Sequence, residues 1–181
     1  MPRVLVVSGL RCSGKETTRK YLIEKGAYQD GIDVSDDILR PVAQEREITR
    51  IADLLPLYLE LGTKYFFDRI KQKVESTDGK VVVSSVRELA LYERLKERYG
   101  ENLALLYLRA KPEIRFQRRQ ARKRAGDMET FEEFRLFEAK EVKAYDMVGL
   151  IGGGFDEAIE NSGTKNQLFA ALDTEIMFGR I

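Results

Sequence analysis

The clearest chemistry in the chain sits near its start. Gly9-Leu10-Arg11-Cys12-Ser13-Gly14-Lys15 follows directly on an apolar, β-branched run, Val4 to Val7, and a helical pattern begins at the lysine. Two glycines at this spacing let the backbone curl so that successive N–H groups point inward. The lysine adds a compact charge for outer phosphates, and the helix presents its positive end. The segment reads as a phosphate-binding loop for a triphosphate, with Gly9, Arg11, Cys12, Ser13, Gly14, Lys15, Glu16 and Thr17 as the ATP-contacting set. A bare strand-to-helix turn would have no use for the lysine. The commonest form of the motif places Ser or Thr after the lysine so that a hydroxyl reaches Mg²⁺. Here Glu16 holds that place, and Thr17, one residue on, is the candidate for an indirect metal contact. Cys12, the only cysteine, lies inside the loop either as a reactive thiol or as a small filler.

Composition narrows the rest. The 181 residues suit one domain, 1–181, and contain no histidine. Ser/His/Asp hydrolysis, Cys/His proteolysis and histidine-ligated metals are therefore excluded, leaving Lys, Arg, carboxylates and hydroxyls to act. One cysteine rules out an internal disulfide framework, and no long apolar stretch or signal-peptide pattern is visible, so a cytoplasmic protein without membrane contact is expected. Charge is uneven. Residues 109–124 carry eight basic side chains against one acid, +7 in a chain whose total is +1. A basic element on an acidic body suggests a mobile clamp for anions.

The elements that would position these groups alternate. Strands are expected at Val4 to Ser8, Asp30 to Val34, Lys80 to Ser84 and Leu103 to Leu108, with a short fifth around Ala158 to Asn161. Helical patterns lie between them, which predicts an α/β fold with a parallel sheet. The first helix should close at Gly26. Residues 36–76 show no strand signal, and their apolar positions recur at helical spacing from Ile48 to Val74, with Pro56 expected to break or restart a helix. This helical insertion is larger than a crossover needs. Further helices are expected over Glu88 to Tyr99, Lys111 to Arg124 and Glu129 to Tyr145, and over Thr164 to Met177 with Thr164 as its cap. Gly152-Gly153-Gly154 reads as a flexible loop, and Phe131, Phe134 and Phe137 read as core.

Beyond the loop, several segments resemble one family in order. Asp37-Ile38-Leu39-Arg40 resembles the Asp-x-Leu-Arg element that opens the nucleotide-monophosphate-binding helices of adenylate kinase and its relatives. Val82-Val83-Ser84-Ser85-Val86-Arg87 stands where those enzymes have a strand-end Asp-Gly-x-x-Arg. The basic run Arg115 to Arg124 resembles their arginine-rich lid, and Asn161-Ser162-Gly163-Thr164 the adenine-side loop of dephospho-coenzyme A kinases. Nearly the whole chain is covered. It resembles the nucleoside monophosphate kinase-like P-loop proteins, closest to adenylate-kinase-related and dephospho-coenzyme-A-kinase-like proteins of archaea.

The resemblance implies a P-loop NTPase fold with a parallel five-stranded sheet, an acceptor-binding insertion over 36–76 and a lid over 111–128. It implies ATP and Mg²⁺ as cofactors and nucleotide small molecules as substrates. Arginine suits bidentate grip on phosphate, so Arg40 and Arg87 are expected to hold the acceptor, with Asp37 orienting Arg40. Arg118, Arg119, Arg122 and Arg124 of the lid would join Lys15 over the transferring group, and Asn161 would lie against adenine. Ser84 departs from the pattern, since the family has there an aspartate that holds waters of the Mg²⁺ shell. Either another acid substitutes, with Asp33 or Asp36 near the end of the second strand as candidates, or catalysis is slow. Two other readings remain at this stage: an ATP-driven assembly factor with an RNA- or protein-binding basic face, and a nucleotide sensor without turnover.

Overall fold

The computed structural model describes residues 1–122, 128–152 and 154–181. Its centre is a parallel five-stranded sheet in the order β2-β3-β1-β4-β5. The strands are β1 (Val4–Gly9), β2 (Asp30–Asp33), β3 (Val81–Ser84), β4 (Leu103–Arg109) and β5 (Glu157–Glu160). Each lies within a residue or two of its expected position.

Side-chain alternation explains why β1, β3 and β4 are apolar on both faces up to their C-terminal ends, where Ser8, Ser84 and Arg109 stand. Successive residues point to opposite faces of a strand, and a parallel sheet is covered on both. Val4 and Val6, Val81 and Val83, and Leu103 and Leu105 enter one core with Phe66, Ile70, Leu91 and Leu95. Leu5 and Val7, Val82, and Leu106 and Leu108 enter the other with Leu22, Leu168 and Leu172. The first face is covered by α3 (Leu54–Ser76) and α4 (Leu89–Tyr99), the second by α1 (Lys15–Glu24) and α8 (Lys165–Met177). Thr164 caps α8 through a reciprocal box with Gln167.

The insertion opens with a π-helical turn over Val34–Leu39, continues into α2 (Arg40–Glu45), and reaches α3 through a short 3-10 turn at Ile51–Asp53. Pro56 restarts a helix as expected. It lies in the first turn of α3, where its missing N–H would have had no partner. The interruption itself comes later, at Gly62 (φ 74, ψ 159), in a region almost closed to any other residue. Glu88 grips both sides of it, accepting from Tyr58 Oη (2.8 Å) and from Thr63 Oγ1 (2.6 Å). A Cβ on Gly62 would meet nothing within 4 Å, so the cost of Gly62→Ala is torsional. That variant is expected to lose about 1–3 kcal/mol, read as a lowered thermal midpoint; an unchanged midpoint would mean the kink relaxes freely.

After β4 come α5 (Pro112–Arg122), α6 (Phe131–Ala144), capped by Thr130, and a single helical turn, α7 (Val148–Ile151). The turn ends against Gly152, the first residue expected to be loop. Of the three phenylalanines expected in the core, only Phe134 is fully buried. Phe131 is exposed, and Phe137 carries the Arg11 guanidinium over its ring at 4.8 Å. Residues 123–127, including Arg124 and part of the expected lid, lie outside the described residues, as does Gly153.

Candidate functional site

Parallel strands end on one side of the sheet, and that is where ligands bind in open α/β folds. Residues just past the ends of β1, β2, β3 and β5 line a cavity of about 440 Å³ there, with contributions from α1, the insertion, α5 and α8.

One end of the cavity is the phosphate loop. Gly14 takes φ +105, and a Cβ on it would collide with the Asn161 side-chain nitrogen, which donates to Ser13 O at 2.8 Å. Lys15 is buried, and its Nζ donates to the carbonyls of Gly9 and Leu10, both at 2.8 Å. Burial, and then the neighbouring Arg87 charge, lower its pKa to about 7. An ammonium in that condition wants an anion. Ser13 Oγ and Thr18 Oγ1, behind the cavity wall, are buried without a partner. Arg11, Cys12, Gly14, Lys15, Glu16 and Thr17 all line the cavity, whereas Gly9 and Ser13 shape the loop from behind. Cys12, at φ +58, faces the same space, so Mg–ATP is expected to slow its alkylation several-fold. Labelling indifferent to nucleotide would place the thiol away from bound phosphates.

The carboxylate near the loop comes from the end of β2. Asp33 pairs in register with Ser84 across the β2–β3 ladder, and its Oδ2 accepts from Ser84 Oγ (2.6 Å) and Ser85 Oγ (2.8 Å). Its Oδ1 accepts the Ser35 and Asp36 N–H groups at 2.9 Å, capping the π-helical turn. Burial pushes its pKa up, but the Ser84, Asp36 and Ser85 hydrogen bonds and the Lys15 charge outweigh it and hold the carboxyl ionised. Ser84 itself does not line the cavity; its hydroxyl is committed to Asp33. The end of β3 carries no acid, and the adjacent strand brings Asp33 against it. Thr17 and Asp33 both line the cavity beside the loop, and they are the side chains that would hold a hydrated Mg²⁺ there were one bound.

Arg40 and Arg87 line the same cavity, with Ser35, Leu39, Leu54 and Tyr145. One expectation is corrected here. Asp37 does not orient Arg40: its Oδ2 accepts the Asp33 N–H at 2.7 Å and faces Arg19 at 3.8 Å. Asp36 takes the pairing instead, its Oδ1 accepting from Arg40 Nε at 2.7 Å, because a π-helical turn shifts which acid faces the arginine. Arg87 is half-buried, donates to Glu141 Oε1 at 2.9 Å, and keeps a buried Nε without a partner.

The basic helix splits by face. Arg118 and Arg122 line the cavity, Arg118 donating to Asn161 Oδ1 (3.3 Å) and Gly163 O (3.1 Å). Arg119 is buried over the Phe116 ring instead, outside the lining set, a second correction. Arg115, also buried, pairs with Glu138 of α6. Helical spacing puts 118 and 122 on one stripe and 115 and 119 on another. Glu138 and Glu141 are the residues that sequence reasoning missed. Their signal was present as two acids three apart on a helix following the arginine run.

Among the described residues no cluster of three acids, cysteines or histidines forms a metal cage, and no helix is long and apolar enough to cross a membrane. The fold is that of P-loop kinases. A shikimate kinase from Bacteroides thetaiotaomicron superposes with a TM-score of 0.64 at 14% identity, covering 98% of this chain and 99% of that one. A gluconokinase from Sinorhizobium meliloti 1021 gives 0.61 at 16%, covering 98% and 97%. No protein-family model matches the chain. A UPF0200 protein of Pyrobaculum aerophilum is 29% identical over 143 residues, 79% of each chain. With a UPF0200 protein of Hyperthermus butylicus 32% identical over 143 residues, 73% of this chain and 72% of that one, the chain belongs to the UPF0200 family.

Proposed function

We propose that the protein is an ATP-dependent phosphotransferase acting on a nucleoside monophosphate or a nucleotide-like acceptor such as dephospho-coenzyme A. The observation that carries this reading is a single cavity lined by the phosphate-loop Lys15 and by two further arginines from outside the loop, Arg40 of the insertion and Arg87 after β3. An ATPase needs a phosphate loop but has no use for a second anion clamp. Bound ATP would supply the phosphoryl group and Mg²⁺ the charge neutralisation that loosens it. The chain's own residues then bind and align. Lys15 and the α1 amides hold the donor phosphates, Arg118 and Arg122 close from the basic helix, and Arg40 and Arg87 fix the acceptor in line. Residues 36–76 serve as the acceptor-binding insertion and 111–128 as the lid. The inward face of α5 supports this over an RNA-binding role, since two of its arginines line the cavity and two are buried.

A panel of nucleoside monophosphates and dephospho-coenzyme A, scored for ADP release from Mg–ATP, tests the proposal; one acceptor should raise release well above the rate to water. Uniform release across the panel would favour a hydrolytic assembly factor. With that acceptor in hand, Arg40→Ala and Arg87→Ala are each expected to weaken acceptor binding about 10- to 100-fold and leave ATP affinity nearly intact. Equal loss of both ligands would show that the cavity is not divided in this way.

A further inference from the structure

The most concentrated charge arrangement outside the loop is centred on Glu141, a side chain only 4% exposed that no part of the reading above employs. Its carboxylate accepts from Arg11 twice, Nε at 2.5 Å and NH2 at 2.7 Å, and from Arg87 NH1 at 2.9 Å. One acid thus bridges an arginine of the phosphate loop and the arginine that follows β3. The same helix reinforces the first: Phe137, one turn earlier, lies under the Arg11 guanidinium, and Glu138 anchors Arg115, whose NH1 reaches Arg11 O at 3.4 Å. Burial pushes the Glu141 pKa up, but Arg87 and Arg11, with Lys15 further off, more than offset it and keep the group ionised.

We propose that Glu141 is a positioning residue: it holds Arg11 and Arg87 at one fixed spacing, so that donor and acceptor phosphates are gripped in register. The proposal rests on the phosphotransferase reading of the site. Two guanidiniums and an ammonium in one semi-enclosed space repel each other, and without a counter-charge they would spread. Glu141 takes only part of each fork. Arg87 retains its Nε, buried and unpartnered, and both arginines line the cavity. A carboxylate in this place has two opposing effects on an arriving polyanion. It repels the anion's charge, and it fixes the donors that must receive it.

Those effects separate on substitution. Glu141→Gln removes the repulsion and loosens the arginines. Inorganic tripolyphosphate, used as a probe in calorimetry, is expected to bind about 5-fold tighter or more, while turnover of Mg–ATP falls about 10-fold or more with its KM unchanged or lower. Glu141→Asp keeps the charge and shortens the reach. Its tripolyphosphate affinity should stay within about 2-fold of the parent, with turnover between the parent and Gln values. A merely structural carboxylate would lower the melting point without tightening the probe. Tripolyphosphate binding unchanged or weaker in Glu141→Gln, or parental turnover, would overturn the proposal. Should Glu141→Gln fail to fold, Glu141→Asp decides: parental turnover overturns it, and reduced turnover at parental probe affinity supports it. Lys15→Ala is the control for the site itself, since failure of that variant to weaken tripolyphosphate would count against the phosphate-loop reading and not against Glu141.

Discussion

Lys15→Ala should weaken ATP binding about 10- to 100-fold and bring turnover to background, the largest effect expected of any single substitution in the protein. The side chain is 6% exposed and is the compact cation at the head of α1, so its loss removes the positive charge that the loop's own helix sets among the backbone amides. A pH dependence accompanies it. With the free-protein pKa near 7, an anion that binds the ammonium form must raise that value. Nucleotide binding should therefore take up a proton above pH 7, and affinity should fall with rising pH, by at most about tenfold per unit, until the pKa of the complex is reached. Calorimetry in buffers of different ionisation enthalpy reads the uptake directly. In the ligand-free protein the sign is opposite to that of a stabilising pair. The folded-state pKa lies below the ordinary value of 10.5, so the buried charge opposes folding fully below pH 7. The opposition is relieved as pH rises from 7 towards 10.5, and absence of both trends in the parent protein would show that Lys15 is not the cation that receives the phosphates.

Asp33→Asn is the second large effect. The amide can keep the contacts of Oδ1 to the Ser35 and Asp36 N–H groups, so the turn should still be capped while the negative charge beside the loop is lost. Turnover should drop about 10- to 100-fold, the range typical of groups that orient a metal's shell, and the Mg²⁺ concentration needed for half-maximal rate should rise. The converse substitution sharpens the point. Ser84 Oγ lies 2.6 Å from Asp33 Oδ2, so Ser84→Asp would set two carboxylates against each other and lower turnover. A gain of activity in Ser84→Asp, together with an indifferent Asp33→Asn, would place the metal-supporting acid elsewhere.

Much of this was legible in the chain because the signals are local. The apolar alternation of β1, the Gly14-Lys15 pair and the Thr164 cap each depend on residues within one turn or strand of each other. The end of β2 shows where locality stops. Asp33 and Ser84 are 51 positions apart, and only the parallel register of β2 on β3 reveals that they meet. The exchange of Asp37 for Asp36 has a similar cause, since a π-helical turn rotates side chains away from the spacing that an α-helix would give. Glu138 and Glu141 were hidden because acids on a charged helix ordinarily face water; their burial is imposed by Arg115, Arg11 and Arg87 arriving from three other segments. In α3, proline was the conspicuous breaker, yet Gly62 makes the kink, because proline in a first turn displaces no hydrogen bond.

The central claim is that one cavity holds a donor and an anionic acceptor together, and following the label of γ-phosphate-labelled ATP tests it most directly. Incubated with the acceptor panel and Mg²⁺, the protein should place the label on one nucleotide-like product, in an amount equal to the ADP formed. Label recovered only as inorganic phosphate, or retained on bound ATP with no turnover, would contradict the claim.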